Sequence, residues 1–224
     1  MLVTILIESA LLVYTVWRYK LTQLTRLVAL AVAALAVFQI CEYRVCAGFG
    51  PDDVAWSRLG YIAITLLPPL GLHIMHLLAG KPGRRLVLTA YATMTAFVVY
   101  FLVYSEAFVG YQCTGNYVIY QIGDRPASAY GIYYYGWLFT AMGLGIKWAS
   151  QALKRGKSDR SKLHTIRALI VGYLVFLVPT ALVNSINPES RRGIPSIMCG
   201  FAILFALILV LYILPRAAQR RKVK

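Results

Sequence analysis

LVALAVAALAVFQICEYRVCA, residues 27–47, decides the fold class. Twelve apolar residues (27–38) are followed without a break by Gln39, Cys41, Glu42, Arg44 and Cys46. The whole stretch is 21 residues long, enough for a helix to cross a bilayer. Six further runs are of comparable length and apolarity, at about 2–17, 58–79, 85–106, 130–152, 163–185 and 194–215. Between them they leave almost no room for a soluble domain. The chain is 59% hydrophobic, and only 14% of it is charged, against roughly 25% in a soluble domain. Mean hydropathy is +0.65. The sequence therefore predicts an all-α integral membrane protein, a seven-helix transmembrane domain over residues 1–215 followed by a basic tail at 216–224. In lipid only helices or closed barrels satisfy the backbone.

The net charge of +15 does not point to nucleic acid, because the cations are sorted along the chain. With the N-terminus outside, 18 of the 23 Lys and Arg fall on the cytoplasmic side; Arg44, Arg58, Arg125, Arg191 and Arg192 fall outside. Of the acids, only Asp159 falls on the cytoplasmic side. This is the positive-inside pattern, and it predicts a multi-pass protein of the cytoplasmic membrane with a cytoplasmic C-terminus, touching anionic lipid with its basic loops. The first run is not a signal peptide: Glu8 lies in its middle, and its positive charges follow the run.

The longest outer connection, about 106–130, contains NYVIYQI (116–122), of strand composition, and GDRP (123–126), a turn signal. A short strand or hairpin lid is predicted there. Pro68-Pro69 and Pro179 lie inside apolar runs and predict kinks.

The polar end of 27–47 has three readings: a metal site, a disulfide anchor, or the floor of a pocket. Metal fares poorly. His73 and His76 lie three apart on one helix face, but roughly 15 Å deeper than Glu42 by helix rise. They remain the weak metal candidates. Hydrolysis lacks a serine with His and Asp at its depth, and a retinal Schiff base lacks a Lys in the last span. A disulfide has a specific pair, since Cys46 ends one apolar run and Cys113 follows another, both on the outer side; Cys41 and Cys199 are expected free. A pocket formed by Glu8, Gln39, Glu42, Tyr61, Tyr104, Tyr134 and Asn184 is predicted from depth: Glu8 and Glu42 lie at a similar depth, the tyrosines map to the outer thirds of their helices, and Asn184 and Asn187 approach the same outer layer. Ionisable groups at such a depth face the bundle interior or water. The competing reading is an aromatic belt with structural hydrogen bonds.

Three segments, WSRLGYIAITLLPPLGLHIMHLLAGKP (56–82), YGIYYYGWLFTAMGLGIKWASQALKRGKSDRSKLHTIRALIVG (130–172) and IPSIMCGFAILFALILVLYILPR (194–216), resemble the N-terminal seven-transmembrane sensor region of bacterial membrane histidine kinases. The likeness implies a receptor-like bundle that passes an external signal to a cytoplasmic output. The chain departs from that pattern in reaching Lys224 without an output domain. The expectation is therefore a stand-alone, non-enzymatic sensor or ligand-binding protein without a cofactor, signalling through a cytoplasmic partner. Two alternatives stay open: an accessory subunit of a larger membrane complex, and a membrane enzyme or transporter.

Overall fold

The computed structural model describes residues 1–47, 53–114, 117–154, 160–186 and 194–219. Asn187, Arg191 and Arg192 lie outside the described residues. The helices are α1 (Leu2–Arg18), α2 (Gln23–Ala47), α3 (Asp53–Thr65), α4 (Leu67–Ala79), α5 (Arg84–Val103), α6 (Asp124–Lys154), α7 (Arg160–Ile186), α8 (Ile194–Leu207) and α9 (Leu214–Ala217). Among the described residues, five stretches are long and apolar enough to cross a membrane: Gln23–Ala47, Asp53–Ala79, Arg84–Val103, Lys162–Ile186 and Ile194–Ala217. α1 and α6 pack alongside them, α1 on α2 and α8, α6 on α4 and α7.

α2 is central, touching α1, α3, α4 and α8. Its buried Ala31, Ala34 and Ala36 let those neighbours approach closely. α5 and α7 are peripheral. α5 exposes Leu88, Val99, Leu102 and Val103, and α7 exposes Val171, Leu174, Val178 and Leu182. Continuous apolar faces of this size are a liability in water and the normal solvent-facing surface in lipid.

The Pro68-Pro69 pair breaks its helix into α3 and α4. Leu66 makes the tighter bond to Ala63 O (3.3 Å), and the regular ladder resumes with Leu70 N to Leu66 O (3.2 Å). Neither proline has an N–H to give the carbonyl four residues back. The carbonyl that Pro69 leaves open, Thr65 O, accepts instead from the Tyr133 hydroxyl at 2.6 Å. Pro179, by contrast, sits inside α7 without interrupting it. Near the other end of the chain, Ile208–Ile213 is a π turn ahead of Pro215, and Leu214 N bonds Leu209 O, five residues back.

Between α5 and α6, a 3₁₀ turn (Ser105–Ala107) leads into an antiparallel hairpin of β1 (Phe108–Thr114) and β2 (Tyr117–Ile122), with Tyr111 opposite Tyr120 and Cys113 opposite Val118. The predicted strand is thus half of a hairpin. GDRP differs from its reading as a turn: α6 starts at Asp124, because a proline in the first helical turn has no intrahelical N–H bond to lose. The hairpin is fixed at three points. Cys113 is disulfide-bonded to Cys46 at the end of α2, with Cα atoms 5.8 Å apart; Cys41 and Cys199 are free and buried. Tyr111 Oη donates to Asp53 Oδ2 at the start of α3 (2.6 Å). Val118 N donates to Ser196 Oγ at the start of α8 (3.0 Å). At the opposite end of the bundle, Lys20 N donates to Gln219 O (3.0 Å), tying α1 to the segment after α9.

Candidate functional site

The hairpin end of the bundle is built around Tyr61. Its ring meets those of Phe101 (5.4 Å), Phe108 (5.2 Å), Tyr120 (5.4 Å) and Tyr130 (5.6 Å). Edge-to-face geometry dominates these pairs, the arrangement favoured by the ring quadrupole. Phe108 comes from β1 and Tyr120 from β2, so the hairpin plugs its own aromatic side chains into the bundle. On β2, Val118 and Tyr120 are both buried, two residues apart, as one strand face requires.

Beside this cluster lies a cavity of about 430 Å³. Its walls are Tyr61 and Ile64 of α3, Tyr130, Tyr134 and Tyr135 of α6, and Ile194, Pro195 and Met198 of α8, with Tyr120, Gln121 and Ile122 of β2 across it. Ala127 and Gly131 complete the α6 wall. The size falls in the range of small-molecule sites, and so does the mixture of an apolar lining with a few polar groups. Tyr120 is buried and its hydroxyl has no hydrogen-bond partner among the described residues. Burial, and the Glu42 carboxyl near it, hold that phenol above the ordinary tyrosine range, so it keeps its proton and remains a donor.

Glu8, Gln39 and Glu42 form a separate buried layer between α1, α2 and α8, not part of the cavity wall. Glu42 lies beside Ser196, whose oxygen accepts from Val118 N. A single serine therefore stands between the buried acid and the hairpin. Both oxygens of Glu8, Glu42 Oε1 and Gln39 Nε2 have no hydrogen-bond partner among the described residues. Arg44 lies near Trp56, its guanidinium carbon 5.5 Å from the ring centroid.

Of the residues that depth alone grouped, Tyr61 and Tyr134 line the cavity, and Glu8, Gln39 and Glu42 lie buried nearby. Tyr104 is exposed at the end of α5 and stacks on Tyr100 (5.2 Å). Asn184, half-buried on α7, is not a lining residue. Tyr120, Tyr130, Tyr135 and Met198 were not in that set. The signal for them is periodicity: 127, 130, 131 and 134 share one helical face, and 118, 120 and 122 share one strand face.

His73 and His76 lie far from this layer, near the other end of α4. His73 is held by Gln23 Nε2, which donates to its Nε2 (3.1 Å), and its Nδ1 is 3.1 Å from Tyr91 Oη. His76 is buried against Trp148 (rings 4.8 Å apart), with Nδ1 3.3 Å from Lys81 O. At that end a second cavity, about 440 Å³, is lined by Gln23, Leu77, Lys162, Thr165, Arg216 and Gln219 among others.

No family model and no curated protein matches the chain.

Proposed function

We propose that the chain is a seven-helix sensor of the bacterial cytoplasmic membrane. It binds a small, largely apolar ligand in the cavity under the hairpin and signals through a cytoplasmic partner. In this reading α1, α2, α3–α4, α5, α6, α7 and α8–α9 each cross the bilayer, with the N-terminus and the hairpin outside. The 18-to-5 sorting of basic residues supports that orientation, as does a disulfide at the end assigned to the oxidising exterior. A reporter fused after Lys224 is expected in the cytoplasm, and a tag before Met1 outside.

The observation that carries the reading is a tyrosine-walled cavity of about 430 Å³ bounded by β2 of the hairpin, whose other strand a disulfide ties to α2. α8 offers the route inward. Ile194, Pro195 and Met198 touch the cavity, and the same rod reaches Arg216 and Gln219 through the π turn. π turns inside α-helices are frequent at functional sites. Amide hydrogen exchange on the full chain in lipid nanodiscs tests the coupling. Washing out co-purified small molecules should raise exchange in 117–122 and in α8. Unchanged exchange in both segments would contradict the sensor reading.

A further inference from the structure

The described wall of the cavity is aromatic and apolar, with few polar groups. No Lys or Arg is among its described lining residues. The described guanidiniums at this end are engaged elsewhere: Arg58 donates to the Phe101 carbonyl (2.8 Å) and to that of Leu102, and Arg44 lies near Trp56. Behind Tyr61 and Tyr120, by contrast, sits the buried carboxyl group of Glu42, with that of Glu8 near it. Glu42 is within electrostatic reach of both tyrosines and of Glu8. Three of the four carboxyl oxygens have no hydrogen-bond partner among the described residues. Among the described lining residues an anion would meet no countercharge; the Met1 ammonium acts on Glu42 from outside that wall. A cation would meet aromatic rings, whose faces carry negative potential, and the carboxyl groups behind them. Tyr120 lines the same wall, and its hydroxyl is buried on the Glu42 side without a hydrogen-bond partner among the described residues.

We propose that the cavity selects a hydrophobic cation, a quaternary ammonium or protonated amine on an apolar body, with its charge among Tyr61, Tyr120 and Tyr134 and toward Glu42. This rests on the reading of the cavity as a ligand site. Cation–aromatic attraction out of water is strong enough to separate a cation from its neutral isostere by about tenfold or more.

The experiment is calorimetric titration of the full chain in nanodiscs, against empty nanodiscs, with three probes: benzyltrimethylammonium, its carbon isostere neopentylbenzene, and benzenesulfonate. The ammonium should bind at least about tenfold more tightly than the other two. Glu42→Gln should weaken it, while Glu106→Gln, at an exposed acid away from the cavity, should not. The wild-type comparison stands alone should Glu42→Gln fail to fold. Equal affinity for ammonium and isostere, or preference for the sulfonate, overturns the charge selectivity and leaves the site itself standing. Binding of none of the three, or ammonium binding that survives Gly131→Leu unchanged, overturns the ligand-site reading beneath it.

Discussion

The Val118 amide, on the hairpin, donates to Ser196 Oγ at the start of α8 over 3.0 Å, and the same serine lies beside the buried Glu42. Ser196→Ala removes the acceptor and leaves a buried N–H without one. The expected cost is about 1–3 kcal/mol. Hydrogen exchange should locate it: protection at the Val118 amide falls, while the α4 and α6 amides keep theirs. An unaltered Val118 amide would mean that the serine does not anchor the hairpin.

The second tie is covalent. Non-reducing peptide mapping should recover Cys46 linked to Cys113, and Cys41 and Cys199 should react with maleimide only after unfolding, since both are buried. The bridge spans 67 positions in sequence, for which the chain-entropy account gives about 4 kcal/mol. Cys46→Ser with Cys113→Ser should lower the unfolding midpoint accordingly. Free thiols at 46 and 113 in the oxidised protein would contradict the fold at this end.

Packing of α4 on α7 depends on one missing side chain. A Cβ at Gly71 would lie 2.2 Å from Tyr173 Oη but 3.3 Å from the ring carbon that bears it. Gly71→Ala should destabilise by about 1–3 kcal/mol. Tyr173→Phe removes the clashing oxygen, which is itself buried without a partner among the described residues. The double variant should therefore recover much of the loss in a thermal unfolding cycle. Additive losses would place the strain elsewhere.

Tyr111 and Asp53 give a pH test outside the bundle. The hydrogen bond to Asp53, at 2.6 Å, holds the Tyr111 phenol above its ordinary value of 10.0. A folded value raised above the unfolded one favours the protonated form. The contribution is thus fully present below the unfolded value and is lost as pH rises through the folded one. The stability difference between wild type and Tyr111→Phe should stay flat from about pH 6 to 9 and shrink only in stronger alkali. A difference that already declines below about pH 9 would show that the bond is not made.

The sequence carried depth better than direction. A rise of 1.5 Å per residue puts Glu8, Glu42 and Tyr61 in one layer without any knowledge of neighbours. Rotation about each helix axis depends on which helix lies alongside, and one sequence does not state it. Hence Tyr104, at the right height, stacks outward on Tyr100, while Tyr130 and Tyr135 turn to the cavity. The disulfide was legible because Cys46 and Cys113 each flank an apolar run at the same level. The partner of the Pro68-Pro69 break was not, since Tyr133 lies 68 positions from the carbonyl it satisfies. GDRP read as a turn because its composition suits a turn and a first helical turn equally.

The central claim is that a small molecule occupies the cavity under the hairpin, and Gly131 tests it most directly. This residue lines the cavity, and a Cβ built there has no heavy atom within 4 Å. Gly131→Leu should fill the space and, by helix propensity, stabilise α6 by up to about 1 kcal/mol. Native mass spectrometry of the full chain in mild detergent should find wild type carrying a bound small molecule. The Gly131→Leu protein should be folded, at least as stable, and without it. A wild-type chain with no bound mass, or the same mass retained by Gly131→Leu, would contradict the account.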